Sequence, residues 1–302
     1  MGPWPADGRR KGASLSAERR LYRLELRGAP WVLGERTLVM GILNVTPDSF
    51  AGGISTPEAA VAQGLRLFEE GADWVDVGGE STRPGAQRVE AAEERRRVVP
   101  VIEALVRRGA GPVSIDTCKA EVARAALDAG ADIVNDVSGF GYDPAMAALV
   151  ASRGVPAVLM HVRGAFAGMH EAPAYRDVMA EVKAELGQAL ARAEAAGVAR
   201  ERTILDPGIG FSKDAAHSLE ALRRLPELAE LDRPLLVGPS RKSFIGRVLD
   251  LPVERRLMGT AAAVAASVML GAHVVRVHDV REMAEVVRVC DAIRGPASGR
   301  AA

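Results

Sequence analysis

The chain has 302 residues, of which 48% are hydrophobic and 26% are charged, a balance typical of a folded globular protein. Lysine plus arginine and aspartate plus glutamate number 39 each, so no net field favours nucleic acid or an anionic membrane. Aromatic residues make up only 4%, few for base stacking, and no run reaches the ~18 apolar residues of a membrane span. We therefore expect no nucleic-acid partner and no membrane partner.

The N-terminal segment and the cysteines give indications of the cellular compartment. Residues 1–20 are rich in Pro, Gly and Arg near the start and lack the apolar segment of a secretory signal, so a disordered tail is predicted there. Cys118 and Cys290 are too few for a disulfide framework and indicate a reducing, cytoplasmic setting. Residues 21–296 contain no long polar linker and are predicted to form one domain.

The predicted elements begin with a β-hairpin, because residues 21–26 alternate as Leu-Tyr-Arg-Leu-Glu-Leu and a turn signal follows at 27–30. Eight apolar runs then predict eight strands, at residues 38–45, 74–78, 112–115, 132–137, 155–160, 203–205, 234–237 and 274–277. The stretches between and after them predict helices, at residues 57–70, 91–108, 119–129, 144–153, 175–196, 215–228, 254–270 and 280–293.

Local end signals support these helices. Thr56 suits an N-cap and Pro57 the first helical position, and Gly71 is a stop signal for the same helix. Asp279 and Glu282 fit an N-cap and its capping-box partner at the start of the last helix.

The order of the elements predicts an α/β fold, a (β/α)8 TIM barrel whose lower end the hairpin plugs. The strands are near-continuous apolar runs, as expected when helices cover a parallel sheet. The alternative fold is an open, doubly wound sheet. That fold typically has a Gly-x-Gly-x-x-Gly turn after its first strand, and this sequence lacks such a turn there. In a barrel all strands end at one rim, so the scattered polar clusters that follow the strands would form a single site.

An anion site is predicted after the last strand. Arg276 and His278 are two residues apart, so their side chains point to the same face. A guanidinium stays charged and can grip phosphate oxygens with two hydrogen bonds. Thr82 and Arg83, after the second strand, are placed to reach the same rim. The alternatives are a salt bridge from Arg276 to a neighbouring strand and a hydrogen-bonded core imidazole at His278.

Other polar groups at strand ends need partners. Asp116, Asn135 and Asp206 each follow an apolar run, and a buried carboxylate without a partner is costly. A flat heterocycle with an amino group and ring N–H groups would satisfy them, and so would an ion-pair network with Lys242. Ser240 suits contact with a small carboxylate or phosphate, or alternatively a helix N-cap.

Several other chemistries lack support in the sequence. The histidines form no zinc pair with a nearby Cys or Glu, and the chain has neither a Gly-x-Ser-x-Gly elbow nor a P-loop. Cys118 follows the third strand without an evident base beside it, so a packed thiol is expected there rather than a nucleophile.

Eight sequence blocks, in this order, resemble the dihydropteroate synthases over roughly residues 38 to 294. The blocks are MGILNVTPDSF (40–50), DVGGESTRPGA (76–86), SIDT (114–117), IVNDVSG (133–139), LMH (159–161), DPGIGF (206–211), GPSRKSFIG (238–246) and RVHDV (276–280).

The resemblance implies a transferase that joins a dihydropterin methyl diphosphate to p-aminobenzoate and expels pyrophosphate, with Mg2+ bound, as a homodimer. Asn44 then looks like the Mg2+ ligand, and Thr82, Arg276 and His278 look like the pyrophosphate site. The pterin pocket would comprise Asp116, Asn135, Asp206 and Lys242, walled by Met160 and Phe211. Ser240, Phe50 and Pro84 look like contacts of p-aminobenzoate.

Two segments depart from the family pattern. The first loop reads Ala51-Gly52-Gly53 where the family usually has Ser-Asp-Gly-Gly, and Val162-Arg163-Gly164 stands where the family has Met-Gln-Gly. The missing aspartate leaves a second hypothesis open, a paralogue that binds pterin without turnover. A third, a methyltetrahydrofolate methyltransferase type of pterin-binding barrel, is disfavoured by the Ser240-Arg241-Lys242 block and by the lack of a cobalamin-binding partner domain.

Overall fold

In the computed structural model, the described residues are 19–46, 56–82, 88–171 and 173–295. The chain begins there with an antiparallel hairpin of β1 (Tyr22–Leu26) and β2 (Ala29–Leu33), which confirms the predicted hairpin. Arg27 and Gly28 make its two-residue turn with φ of 53° and 71°, the paired positive values that suit the twist of a hairpin.

The eight strands that follow within the described residues are β3 (Leu38–Asn44), β4 (Trp74–Gly78), β5 (Val113–Asp116), β6 (Ile133–Asp136), β7 (Ala157–Met160), β8 (Thr203–Asp206), β9 (Leu236–Val237) and β10 (Val274–Val277). The helices are α1 (Pro57–Glu69), α2 (Ala91–Arg107), α3 (Ala120–Asp128), α4 (Met146–Arg153), α5 (Val178–Ala195), α6 (Ala215–Arg223), α7 (Ser243–Leu249), α8 (Leu257–Met269) and α9 (Val280–Arg294).

These strands form a parallel barrel. The hydrogen-bonded order is β8-β7-β6-β5-β4-β3-β10-β9, and a parallel bridge between Leu205 and Leu235 connects the two ends. Each strand is followed by a helix, β9 by two, so the predicted (β/α)8 architecture is confirmed. No helix within the described ranges is both long and apolar enough to span a bilayer.

The predicted signals at the start of α1 are confirmed. Thr56 Oγ1 accepts the backbone N–H of Ala59 at 3.3 Å, Pro57 opens the helix, and Gly71 follows it with a φ of 107°. The helix predicted at 215–228 instead ends at Arg223, and a 3-10 segment, Leu225–Leu231, replaces its last turn. Pro226 lacks a backbone N–H and therefore cannot continue the α-helical ladder.

The prediction for Asp279 is confirmed for its position and wrong for its hydrogen bond. It occupies the N-cap position of α9, but its side chain caps no backbone N–H. Its carboxylate instead receives two hydrogen bonds from Arg241, through Nε at 3.0 Å and through Nη2. A guanidinium offers two charge-assisted bonds in a fixed plane, which outcompete a single neutral amide.

The inside of the barrel is layered. Apolar side chains near the strand starts pack together with the hairpin: Tyr22, Leu24, Leu26, Leu33, Leu38, Met40, Trp74, Ile133, Val158, Ile204, Leu236 and Val274. The predicted plug at the lower end is thereby confirmed. Because side chains alternate along a strand, the residues two or four positions further point inward too, nearer the opposite end. Several of those positions carry polar side chains, as at Asn44, Asp76, Asn135, Asp206 and Arg276.

Candidate active site

A cavity of about 610 Å3 opens at the carboxyl ends of the barrel strands. Every predicted site residue within the described ranges lines it: Asn44, Thr82, Asp116, Asn135, Met160, Asp206, Phe211, Ser240, Lys242, Arg276 and His278. The remaining three, Phe50, Arg83 and Pro84, lie outside the described residues, as does the altered first loop. The topology therefore brings together side chains that are up to 234 positions apart in the chain, from Asn44 to His278.

Arg276 stands between two carboxylates at the floor of the cavity. Its Nε lies 2.6 Å from Asp76 Oδ2, and its Nη2 lies 2.6 Å from Asp116 Oδ2. Arg276 thus forms salt bridges, but with β4 and β5 across the barrel rather than with a neighbouring strand as the alternative had it, and its guanidinium also lines the cavity. An ion-pair partner had been considered for Asp116, and that partner is Arg276 from β10 rather than Lys242.

Asp76 is a residue that the sequence reasoning missed. Its side chain is fully buried, and Oδ2 accepts from Asn135 Nδ2 at 2.8 Å as well as from Arg276. It therefore fixes the orientation of one predicted pterin contact and one predicted anion contact together. The sequence did contain a sign of this residue. Asp76 lies in the apolar run 74–78, two positions after Trp74, so its side chain points to the same inner face of the barrel.

Burial shapes the acidity of the two carboxylates that line the cavity. Desolvation raises the pKa of Asp206 to about 6, while the N–H of Gly208 at 2.7 Å and the charge of Lys242 act in the opposite direction. Burial also raises the pKa of Asp116, and the positive charge of Arg276 opposes that rise. Burial therefore disfavours the ionised form of each carboxylate, and the nearby cations Lys242 and Arg276 favour it.

Lys242 enters the cavity over an aromatic ring. Its Nζ lies 3.8 Å from the centroid of Phe211, a cation–π contact, and no carboxylate in the described part of the chain lies within 4 Å of it. The stem runs along Gly210, where an added Cβ would be only 3.0 Å from Lys242 Cδ. Burial, followed by the charge of Arg276, lowers the pKa of Lys242 to about 8. The alternative of a direct ion-pair network through Lys242 is wrong.

Ser240 and His278 form a pair beside Arg276. Ser240 Oγ is 2.9 Å from His278 Nδ1 and accepts the backbone N–H of His278 at 3.2 Å. The N-cap alternative for Ser240 is wrong, since α7 begins at Ser243 and the residue at its N-cap position is Lys242. The hydroxyl of Ser240 orients His278 and also lines the cavity.

Two oxygen-bearing side chains stand on either side of β4 at the rim, Asn44 on β3 and Asp116 on β5. Gly78 lies between them, and a Cβ there would be 3.7 Å from Asn44 Oδ1 and 3.6 Å from Asp116 Oδ2. The described residues contain no cluster of three or more His, Cys, Asp or Glu that could hold a metal alone. Mg2+ commonly takes one or two protein oxygens and completes its octahedron with phosphate and water. The amide oxygen of Asn44 could serve as one such protein oxygen.

An apolar wall faces the charged side. Met160 and Phe211 pack with Cys118, Val137, Phe166 and Met169 and also border the cavity. The Cys118 thiol is buried, and desolvation raises its pKa to about 12. It is therefore a packed thiol, as predicted, because the reactive thiolate is strongly disfavoured.

His161 and Arg163, which follow β7, do not line the cavity. His161 is buried between Lys213 Nζ, at 2.9 Å from Nδ1, and Glu185, at 3.0 Å from Nε2. Arg163, which departs from the family pattern, pairs with Glu181 and Glu185 on α5. This departure therefore changes contacts behind the site rather than its surface.

Comparison with known proteins agrees with this geometry. Residues 40–278 match the family model described as pterin binding enzyme. A dihydropteroate synthase from Synechocystis sp. is 47% identical over 263 residues, which cover 86% of this chain and 91% of that protein. The solved structure of Xanthomonas albilineans dihydropteroate synthase with 4-aminobenzoic acid has a TM-score of 0.85 at 47% identity, covering 91% of this chain and 99% of that one. The same enzyme in complex with 7,8-dihydropteroate has a TM-score of 0.82 at 44% identity, covering 90% and 99%.

Proposed function

The chain belongs to the dihydropteroate synthases of the pterin binding enzyme family, and we propose that it joins a dihydropterin methyl diphosphate to p-aminobenzoate, releasing pyrophosphate. The observation that carries the proposal is the single cavity in which anion-binding, heterocycle-binding and apolar side chains meet. A transferase with an anionic leaving group and two flat rings requires these three surfaces side by side.

The pterin would bind at the floor of the cavity. Asn135 can both donate and accept, and the carboxylate of Asp206 accepts N–H groups of the kind that an aminopyrimidinone ring presents. The ammonium of Lys242 supplies donors for ring oxygen or nitrogen atoms. Because Asp76 holds Asn135 in place, this recognition is preorganised rather than assembled on binding.

The bond-breaking step would lie above Asp116 and Arg276. As the C–O bond to the diphosphate breaks, positive charge grows on the pterin methylene, and the Asp116 carboxylate stabilises it. Arg276 would offset negative charge on the departing pyrophosphate, and Thr82 and His278 would hydrogen-bond its oxygens. The amine nitrogen of p-aminobenzoate then forms the C–N bond, and its surplus proton leaves to solvent or to the pyrophosphate, so no strong base is needed.

Mg2+ is the cofactor proposed for the leaving-group end. Asn44 would hold it by its amide oxygen, with the diphosphate and water supplying the remaining oxygens. A bound Mg2+ neutralises charge on the diphosphate and so makes it a better leaving group.

The arylamine would occupy the outer part of the cavity against Phe211, with the Ser240 region facing its carboxylate. From the family pattern, Phe50 and Pro84 would complete the arylamine pocket, while Arg83 is proposed for the anion end beside Thr82. Ser243, which also lines the cavity at the first position of α7, is a further hydroxyl within this region.

The deciding experiment measures pyrophosphate release from the purified chain with pterin diphosphate, p-aminobenzoate and Mg2+. We expect one pyrophosphate for each dihydropteroate formed and dependence on both substrates. The rival is a paralogue that binds pterin without turnover. A chain that binds the pterin but releases no pyrophosphate above background would establish that rival instead.

A homodimer and a cytoplasmic location are also proposed. Exposed apolar side chains in the stretch from α7 to α8, at Val248, Leu249, Val253 and Met258, support a partner surface. The free thiols of Cys118 and Cys290 support a reducing compartment. Light scattering of the wild type and of Met258→Glu tests the dimer, because a monomeric wild type would exclude it.

A further inference from the structure

His170 is a cavity-lining residue to which neither the sequence motifs nor the proposed reaction assigns a role. It lies in the segment after β7, and its ring connects two other segments of the rim. Nε2 is 2.5 Å from the carbonyl oxygen of Thr82, and Nδ1 is 3.4 Å from the carbonyl oxygen of Gly210. The ring also stacks on Phe211, with centroids 5.2 Å apart and planes inclined by 26°.

The side chain is held by a rigid support. Ser212 donates its backbone N–H to the carbonyl of Met169, the residue before His170, at 2.7 Å. The hydroxyl of Ser212 accepts from Arg163 N and donates to Arg163 O, both at 2.9 Å. Tyr175 adds a bond from its hydroxyl to Ser212 O at 2.9 Å. The segment that carries His170 is therefore tied to the segment that carries Phe211, and the imidazole is preorganised.

We propose that His170 is a positioning residue that fixes the anion-binding Thr82 relative to the aromatic wall at Phe211. The proposal rests on the proposed function, because it assigns Thr82 to pyrophosphate and Phe211 to the arylamine. A carbonyl oxygen can only accept, so the short contact requires a hydrogen on Nε2 of His170. One ring thus makes two separable interactions, a hydrogen bond toward the anion end and a stack toward the arylamine end.

Two substitutions separate these interactions. His170→Phe keeps an aromatic ring against Phe211 but has no N–H for Thr82. His170→Gln keeps an amide N–H at a similar reach but removes the ring. A single hydrogen bond or aromatic pair contributes about a threefold to tenfold effect on an equilibrium, so each loss is measurable.

The test combines calorimetry with steady-state kinetics. Titration with inorganic pyrophosphate and Mg2+ should show about fivefold weaker binding for His170→Phe and near wild-type binding for His170→Gln. The KM for p-aminobenzoate in the pyrophosphate-release assay should rise about fivefold for His170→Gln and change little for His170→Phe. The matched controls are His217→Phe and His217→Gln on α6, outside the cavity lining. Because His217 packs edge-on against Tyr175, they show whether an effect comes through the Tyr175–Ser212 support rather than through the His170 ring itself.

The two proposals fail in distinguishable ways. A wild type without turnover would overturn the proposed reaction, while the pyrophosphate titration, together with a titration of p-aminobenzoate, would still report on His170. The positioning role is overturned if both variants match wild type. It is overturned equally if each variant weakens both ligands by the same factor, which indicates a general structural defect.

Discussion

The two ends of the barrel are built by the same eight strands and filled with opposite chemistry. At the lower end Trp74 and Met40 pack with the hairpin in an apolar cluster, and charged groups such as Arg233, over the ring of Tyr22, stand at its edge. Two residues further along β4, Asp76 already pairs with Arg276, and the upper end is a polar cavity. An inward-pointing side chain is therefore not by itself part of a binding site. The distance along the strand decides whether an inward position stabilises the fold or is available for a ligand.

The largest expected effect is a loss of stability from the lower end. Trp74→Ala removes a fully buried indole that packs 5.9 Å from Trp31, and should lower the free energy of unfolding by about 3–5 kcal/mol. Urea unfolding measures this, with the exposed Val289→Ala as control. Turnover below the unfolding transition should stay near wild type. A large fall in kcat with unchanged stability would contradict the division between the two ends.

At the upper end, activity should fall by more than stability. Lys242→Ala or Arg276→Ala should each lower kcat at least ~100-fold, as when one preorganised donor to a developing charge is removed. Pyrophosphate release measures this loss, with Lys183→Ala as control, since the half-buried Lys183 pairs with Glu230 away from the cavity lining. Wild-type rates in either variant would remove that residue from the site.

The pH profile of kcat/KM should also report the upper end alone. Asp206, whose pKa is raised to about 6, and Asp116, whose pKa burial also raises, lose their carboxylate charge as the pH falls, and both contribute to the acidic limb. Lys242, whose pKa is lowered to about 8, loses its ammonium charge as the pH rises through that value. We expect a bell between these limits, falling about tenfold per pH unit outside them.

A variant that keeps the positive charge tests whether Lys242 causes the fall of kcat/KM at basic pH. In Lys242→Arg the guanidinium stays charged across this pH range. The fall in kcat/KM near pH 8 should therefore disappear, even if the rate is lower. A variant that retains the same basic limb would assign it to another group.

The smallest effect expected is a change of apparent KM. A sulfonamide shaped like p-aminobenzoate should raise the apparent KM for that substrate without changing kcat, because both occupy the pocket beside Phe211. Initial-rate measurements at several inhibitor concentrations check this. Noncompetitive inhibition would place the drug or the arylamine elsewhere.

Much of the site was predictable because strand ends are local in sequence. Asp116, Asn135 and Asp206 follow apolar runs, and a parallel barrel brings such ends to one rim. The hairpin and the capping of α1 were equally local, since Thr56, Pro57 and the turn at 27–30 act within a few residues.

Pairings across the barrel were not predictable in the same way. The sequence offered Lys242 as the ion-pair alternative to a bound heterocycle, yet Arg276 is the cation that pairs with Asp76 and Asp116. Asp279 had the local pattern of an N-cap, yet Arg241, 38 positions away, takes its carboxylate. Both outcomes depend on which long cationic side chain reaches a carboxylate in the folded chain.

The sequence by itself determined the periodic features of this protein: the alternation of strand and helix, the inward parity of each strand and the kinds of side chain at its end. The tertiary structure alone decided the partners, including the ring of His170 between Thr82 and Phe211. The physical reason is that periodicity is set by neighbouring residues, whereas a hydrogen bond or ion pair is set by distances of a few ångströms between segments far apart in the chain.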